Sequence, residues 1–216
     1  MPTLILNKGG SIVGTADSTQ AAARDETTGT SVDQGLSVLS AVQYFKSSGR
    51  GGGTFRYIRS FLQFDASLIT DTVTAATLNV ESAGSSNTSH VIVIASDAFG
   101  GTNSDLVVGD FDNIDFSTPY SSEITSWNTN GSNNAITLNA AAHSAISSND
   151  SFICAIVDHD SDFQDTDSLS GDGSQTVGID FSGTITLSVT ITTASDKNSL
   201  SIPAGRLTLS SGKFTI

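Results

Sequence analysis

Cysteine is nearly missing from this chain: Cys154 is the only one in 216 residues. An intrachain disulfide is therefore excluded, and the fold has to stand without an oxidising compartment. Cys154 lies in the apolar run SFICAIVD, the setting of a buried small hydrophobe and not of a reactive thiol. Basic residues are also scarce, with nine Lys and Arg against 22 Asp and Glu and a formal net charge of −13. A surface that negative repels phosphate backbones, so no nucleic-acid partner is expected. Glutamate is rare too: only Glu26, Glu81 and Glu123 among the 22 acids, the rest being Asp. Asp favours turns and Glu favours helices, so the excess charge belongs to loops. No apolar stretch approaches the roughly 20 residues of a membrane span. The opening MPTLILNKGG holds only a Leu-Ile-Leu core, too short for a secretory leader, so neither membrane insertion nor a Sec route is expected.

What the chain does have is Ser, Thr, Asn, Asp and Gly around short β-branched runs, the profile of many strands joined by polar loops. Gly35–Phe45 reads as a strand leading to a Gly-rich hairpin tip, SSGRGGGT at 47–54. That run lacks the Gly-Lys-Ser/Thr end of a phosphate loop. TFRYIRSFLQFD (54–65) is the strongest strand, with Ile58, Ser60, Leu62 and Phe64 on one face and Arg59, Phe61 and Gln63 on the other. Further strands are expected at Val73–Glu81, Val91–Ala95, Ala135–Leu138, Phe152–Val157 and Gly183–Thr193. Leu138, Ala142 and Ile146 recur at helical spacing and predict one short helix near 138–147. Residues 96–134 read as a long polar connection, with Phe111, Ile114 and Phe116 as its anchors. The expected architecture is all-β: a single antiparallel β-sandwich of jelly-roll type over residues 36–194. Residues 1–35 read as an extended arm, with an edge strand in part of it as the alternative, and 195–216 as a terminal hairpin or docking arm.

From Arg59 onward the sequence resembles a known family. RSFLQFD (59–65), a short loop and then AATLNV (75–80) are similar to the strand–loop–strand signature of DNRLRE-type, carbohydrate-binding-module-like jelly-roll domains. DAFGG (97–101), GDFDNI (109–114), ITSWNTNG (124–131), ITLNAAAHSAI (136–146) and DHDSDFQDT (158–166) follow in the order of a variant found in bacteriophage structural proteins. The likeness covers roughly residues 36–193 and implies a virion protein, assembled in the host cytoplasm and carried on the particle surface.

Residue patterns for chemistry are few. His90, His143 and His159 form no His-Glu-x-x-His pattern, and no Gly-x-Ser-x-Gly elbow occurs, so no enzyme is expected. Asp158, Asp160, Asp162 and Asp165 share one loop and are candidate Ca²⁺ ligands, although Phe163 and Leu169 stand where an EF-hand loop requires Gly and Glu. Asp105, Asp110, Asp112 and Asp115 make a weaker acidic group. Asp65 is expected to hold the turn after its strand. Trp127 is a candidate stacking platform for a glycan, with a core or loop anchor as its plainer role. Arg50, Arg56 and Arg59 stand out in an acidic chain as a patch for an acidic neighbour, with internal salt bridges as the alternative. Leu4, Ile5, Leu6, Phe214 and Ile216 are candidate docking anchors on the two arms. The resemblance, in a chain too short for a long fibre shaft and without coiled-coil heptads, implies a capsid decoration that meets the major capsid protein or other virion proteins, as a homo-oligomer with a trimer favoured. The alternative is a tail-associated or glycan-binding module.

Overall fold

The computed structural model describes residues 1–35, 39–47, 53–86, 90–101, 104–128, 131–167 and 173–192. Within them the strands are β1 (Thr3–Gly14), β2 (Gly29–Gln34), β3 (Leu39–Ser47), β4 (Thr54–Asp65), β5 (Thr72–Ser86), β6 (Val91–Ser96), β7 (Ile114–Pro119), β8 (Asn133–Leu138), β9 (Ser151–Asp158), β10 (Gly173–Asp180) and β11 (Thr186–Thr192). Two helices, α1 (Gln20–Arg24) and α2 (Ala140–Ser148), accompany them. The described pairings are antiparallel, and the chain is an all-β sandwich of jelly-roll-like form.

One layer runs β8-β5-β11-β1 and the other β2-β1-β4-β9-β6-β7, with β3 and β10 joining β4 to β5. β1 and β5 therefore serve both layers. β1 pairs with β11 through Thr3–Ile5, then with β4 from Leu6 onward. β5 pairs with β11 and β8 in its first two thirds, then with β10 from Ser82. Each crossing sits at a register shift: between Leu6 and Lys8 in β1, and opposite Gly178/Ile179 in β5, where Gly84 takes φ 117°. Bulges are how a strand turns the corner between packed sheets, and only Gly adopts that φ freely.

Between the layers lies an apolar core that includes Leu62, Phe64, Leu78, Val80, Val93, Phe152, Cys154, Ile156, Ile179 and Leu187. Burial pushes the Cys154 thiol pKa up, which keeps it protonated and inert. α2 covers one end through Ala142 and Ile146, the stripe expected from the sequence, and its Asn139 cap accepts from the Ala141 and Ala142 amides. A second core lies on the outer face of β4, β9 and β6. There Tyr57, Phe61, Ile92, Ile94, Ala155 and Val157 pack beneath Ala23 of α1 and Phe99, Leu106 and Phe111 of the 97–112 connection. That connection carries two 3-10 turns and leads into β7. The alternation in β4 thus separates two cores, not a core from solvent.

The arm expected at residues 1–35 is corrected. Its first half is β1, a strand inside the sandwich, because Leu6 is buried in the inter-layer core and Leu4 packs against it. Those two side chains hold the fold and are not free for docking. Ile5, on the opposite face of the strand, is 74% exposed. Phe214, Ile216 and the rest of 195–216 lie outside the described residues, as does the Gly-rich tip at 48–52 with Arg50.

Strand ends repeat one device. Asp65 Oδ1 accepts from the Ser67 amide (3.0 Å) and hydroxyl (2.6 Å), as its sequence position suggests. Asp115 does the same to Ser117, and Asp180 to Ser182. The Ser hydroxyls hold Asp65 and Asp115 below the usual carboxylate range.

Gly9 in β1 passes so close to the Phe181 ring that an added Cβ would lie 2.4 Å from it. Gly9→Ala is expected to cost about 1–3 kcal/mol in urea unfolding, since the buried ring has to move.

Candidate functional site

The acidic loop begins where β9 ends. A single π turn, His159–Phe163, reverses the chain there and exits through Asp165 at φ 51°. Asp158 caps this turn by accepting from the Ser161 amide (2.8 Å) and hydroxyl (2.6 Å). Asp162 is buried and turned toward β4. Both its oxygens are taken by Arg59, from Nε (2.9 Å) and Nη2 (2.7 Å). The same guanidinium donates to the backbone oxygens of Arg24 and Phe111, each at 2.9 Å, and lies 4.2 Å over the Phe111 ring. Arg59 is 1% exposed. It therefore joins β4, α1, the 97–112 connection and the π turn. Arg24 makes a second clamp, with Nη2 2.6 Å from Asp165 and Nη1 3.4 Å from Asp167. Beside it Tyr57 Oη accepts from Gln20 Nε2 (2.9 Å), and burial pushes the phenol up to about 12.

This geometry corrects two expectations. The four candidate Ca²⁺ ligands do not converge, because Asp158 faces Ser161, Asp162 faces Arg59 and Asp165 faces Arg24, leaving only Asp160 turned elsewhere. Arg59 does not belong to an outward basic patch. The sequence alternative, an internal salt bridge, describes it, and only Arg56 of the described pair is exposed. The second acidic group is likewise divided. Asp105 pairs with Lys8 (3.0 Å), while Asp110 accepts from the Phe99 and Val107 amides and from Asn113. Trp127 packs against the inter-layer core, and its Nε1 donates to the Gly178 oxygen (3.1 Å). It is a loop anchor, half-buried and held at its polar edge.

Asp160 meets residues that sequence spacing did not single out. His90 Nδ1 lies 2.6 Å from Glu123 Oε1 and 3.3 Å from Asp160 Oδ2. His159 Nδ1 lies 3.0 Å from Asp160 Oδ1 and 3.6 Å from Glu123 Oε1. His90, Glu123 and Asp160 bring one ligand atom each to within 4.8 Å of one another. The backbone fixes this meeting. The His159 amide donates to the His90 oxygen (2.9 Å), and Val91 and Ile124 exchange both amide bonds. Glu123 also stands at one end of an open trough of about 490 Å³ between residues 121–128 and β8, lined by Ser, Thr and Asn side chains with Ile136 and Leu138. No helix among the described residues is long and apolar enough to cross a membrane.

No known protein-family profile matches the chain, and no curated protein matches it.

The paired clamp makes strong predictions. Arg59→Met or Asp162→Asn alone strands a buried charge and should cost about 3–5 kcal/mol in chemical unfolding, while Arg59→Met combined with Asp162→Leu should recover much of that loss. Arg59→Lys should not rescue, because an ammonium cannot reproduce the fork. Asp158 shifts the other way. Burial, with Asp162 and Asp160 nearby, raises its carboxyl, so the fold holds that proton more tightly than the unfolded chain does. Its contribution is complete below the ordinary carboxylate range and fades as pH rises through the raised value. Asp158→Asn keeps the acceptor for Ser161, so its melting temperature relative to the parent should rise between pH 4 and 7.

Proposed function

We propose that this protein is a non-enzymatic structural module of a bacteriophage particle, placed on the outer shell as a decoration and docked on other virion proteins. The ordered run of motifs from Arg59 to Thr166, similar to phage jelly-roll domains, motivates the reading. One structural observation carries it further. Arg59, the only Lys or Arg of that motif run, and Arg24 upstream of it are spent inside the molecule on Asp162, Asp165 and Asp167. The outer face of β4, β9 and β6 is sealed by the chain's own α1 and loops. A sandwich closed in this way suits display: it offers an acidic polar surface and exposed single apolar residues such as Ile5 and Leu68. Contact with a neighbour then falls to strand edges and loops, and a trimer over a local three-fold position is the arrangement favoured.

The glycan-binding alternative is favoured by a different feature, the polar trough beside β8. Its hydroxyl and amide lining suits sugar hydroxyls, whereas Trp127 is committed to Gly178.

Purified particles decide between these. Mass spectrometry and cryo-electron microscopy should find the protein at a fixed copy ratio to the shell protein, in density outside the shell. Its absence from washed particles overturns the virion reading. Retention on a glycan array, abolished by Thr137→Arg in the trough with the melting temperature intact, would instead support the glycan-binding module.

A further inference from the structure

We propose that His90, Glu123 and Asp160, with His159 beside them, form a binding site for one divalent transition-metal ion of the zinc class, a clasp between the β6 start, the π turn and the 121–128 segment. The donor set sets the metal class. An imidazole and two carboxylates, with a fourth position left for water, suit Zn²⁺ and its neighbours, whereas Ca²⁺ and Mg²⁺ ask for oxygen shells. Zn–N and Zn–O bonds of about 2.0–2.2 Å place tetrahedral ligand atoms about 3.3–3.5 Å apart. His90 Nδ1 stands 3.3 Å from Asp160 Oδ2, already close to that edge. Its separation from Glu123 Oε1, 2.6 Å, is a hydrogen bond that an ion would replace by a small opening.

The site is organised before any ion arrives. His90 and His159 are joined by a backbone hydrogen bond at the end of the β6–β9 ladder, and Glu123 is one residue from the Val91–Ile124 bridge. The His159 ring stacks on Phe163, with centroids 5.6 Å apart. Gln164 Nε2 lies 3.3 Å from His159 Nε2. With that amide turned over, its oxygen accepts from Nε2–H and fixes the His159 ring beside Asp160. Charge points the same way, since the two carboxylates of Glu123 and Asp160 together balance a divalent cation. All four side chains are at least partly accessible, so the ion has a path in.

The clasp stands apart from the particle-surface reading, and its test uses the untagged full chain, stripped with chelator and dialysed. Calorimetric titration with ZnCl₂ should saturate at one ion per chain and raise the melting temperature, while CaCl₂ and MgCl₂ should do neither. Co²⁺ should give the visible absorption of a tetrahedral N/O site. Glu123→Gln and His90→Asn should each weaken Zn²⁺ binding by at least about tenfold, with Asp105→Asn as a control that leaves it unchanged. Circular dichroism of the metal-free variants checks their folding, and Glu123→Gln, at a partly exposed side chain, decides if His90→Asn does not fold. The proposal is overturned by no Zn²⁺ binding, by Ca²⁺ binding more tightly than Zn²⁺, or by binding that Glu123→Gln leaves unchanged.

Discussion

Burying an arginine costs several kcal/mol unless its charge and its N–H groups are all met in place. Arg59 meets that condition through residues drawn from three other parts of the chain. Asp162 comes from the π turn, the Arg24 oxygen from α1 and the Phe111 oxygen from the 97–112 connection, all converging on β4. The outer layer of this molecule is made of short helices and loops with little regular hydrogen bonding of their own. It owes its geometry to that one charged point and to the aromatic rings around it, Phe111 at 4.2 Å and Phe116 at 5.2 Å. Arg24 and Tyr57 extend the same arrangement toward Asp165 and Gln20. The scarcity of bases in the sequence becomes intelligible: two of the nine are structural, each matched to carboxylates.

The acids follow the same logic. Many of the described aspartates have short-range tasks, closing a turn at Asp65, Asp115 and Asp180, capping the π turn at Asp158 and collecting loop amides at Asp110. These tasks need an oxygen one carbon from the backbone, which Asp supplies and Glu does not. The strong preference for Asp over Glu is therefore a record of turn chemistry as well as of surface charge.

The regular strands were legible because burial on alternate sides leaves a period-two pattern. β4 matches its sequence expectation at both ends, and β5, β6, β8, β9, β11 and α2 lie within a few residues of theirs. β1, β2 and β10 were harder. NKGGS, TSVDQ and SQTVGID carry Gly and polar residues on faces where backbone packs closely, so periodicity is weak there although Leu6, Ile12, Val177 and Ile179 are buried. Arg59 was placed on the correct face of β4, but alternation cannot say whether that face meets water or a second layer. Asp160 was singled out with its loop, but its meeting with His90 and Glu123 left no sequence signal, because these three residues are more than 30 positions apart and are brought together by strand pairing.

The double membership of β1 sets an order on how the molecule comes together. Its first residues pair with β11, Thr3 opposite Ser188, and its later ones with β4. On a ribosome β1 emerges before its partners, and its Thr3–Ile5 end must wait for β11 before its ladder exists. Contacts of such separation make for slow, late closure. Until then the apolar stretch Leu4–Leu6 is an open strand edge, the part of the nascent chain most in need of shielding from its neighbours.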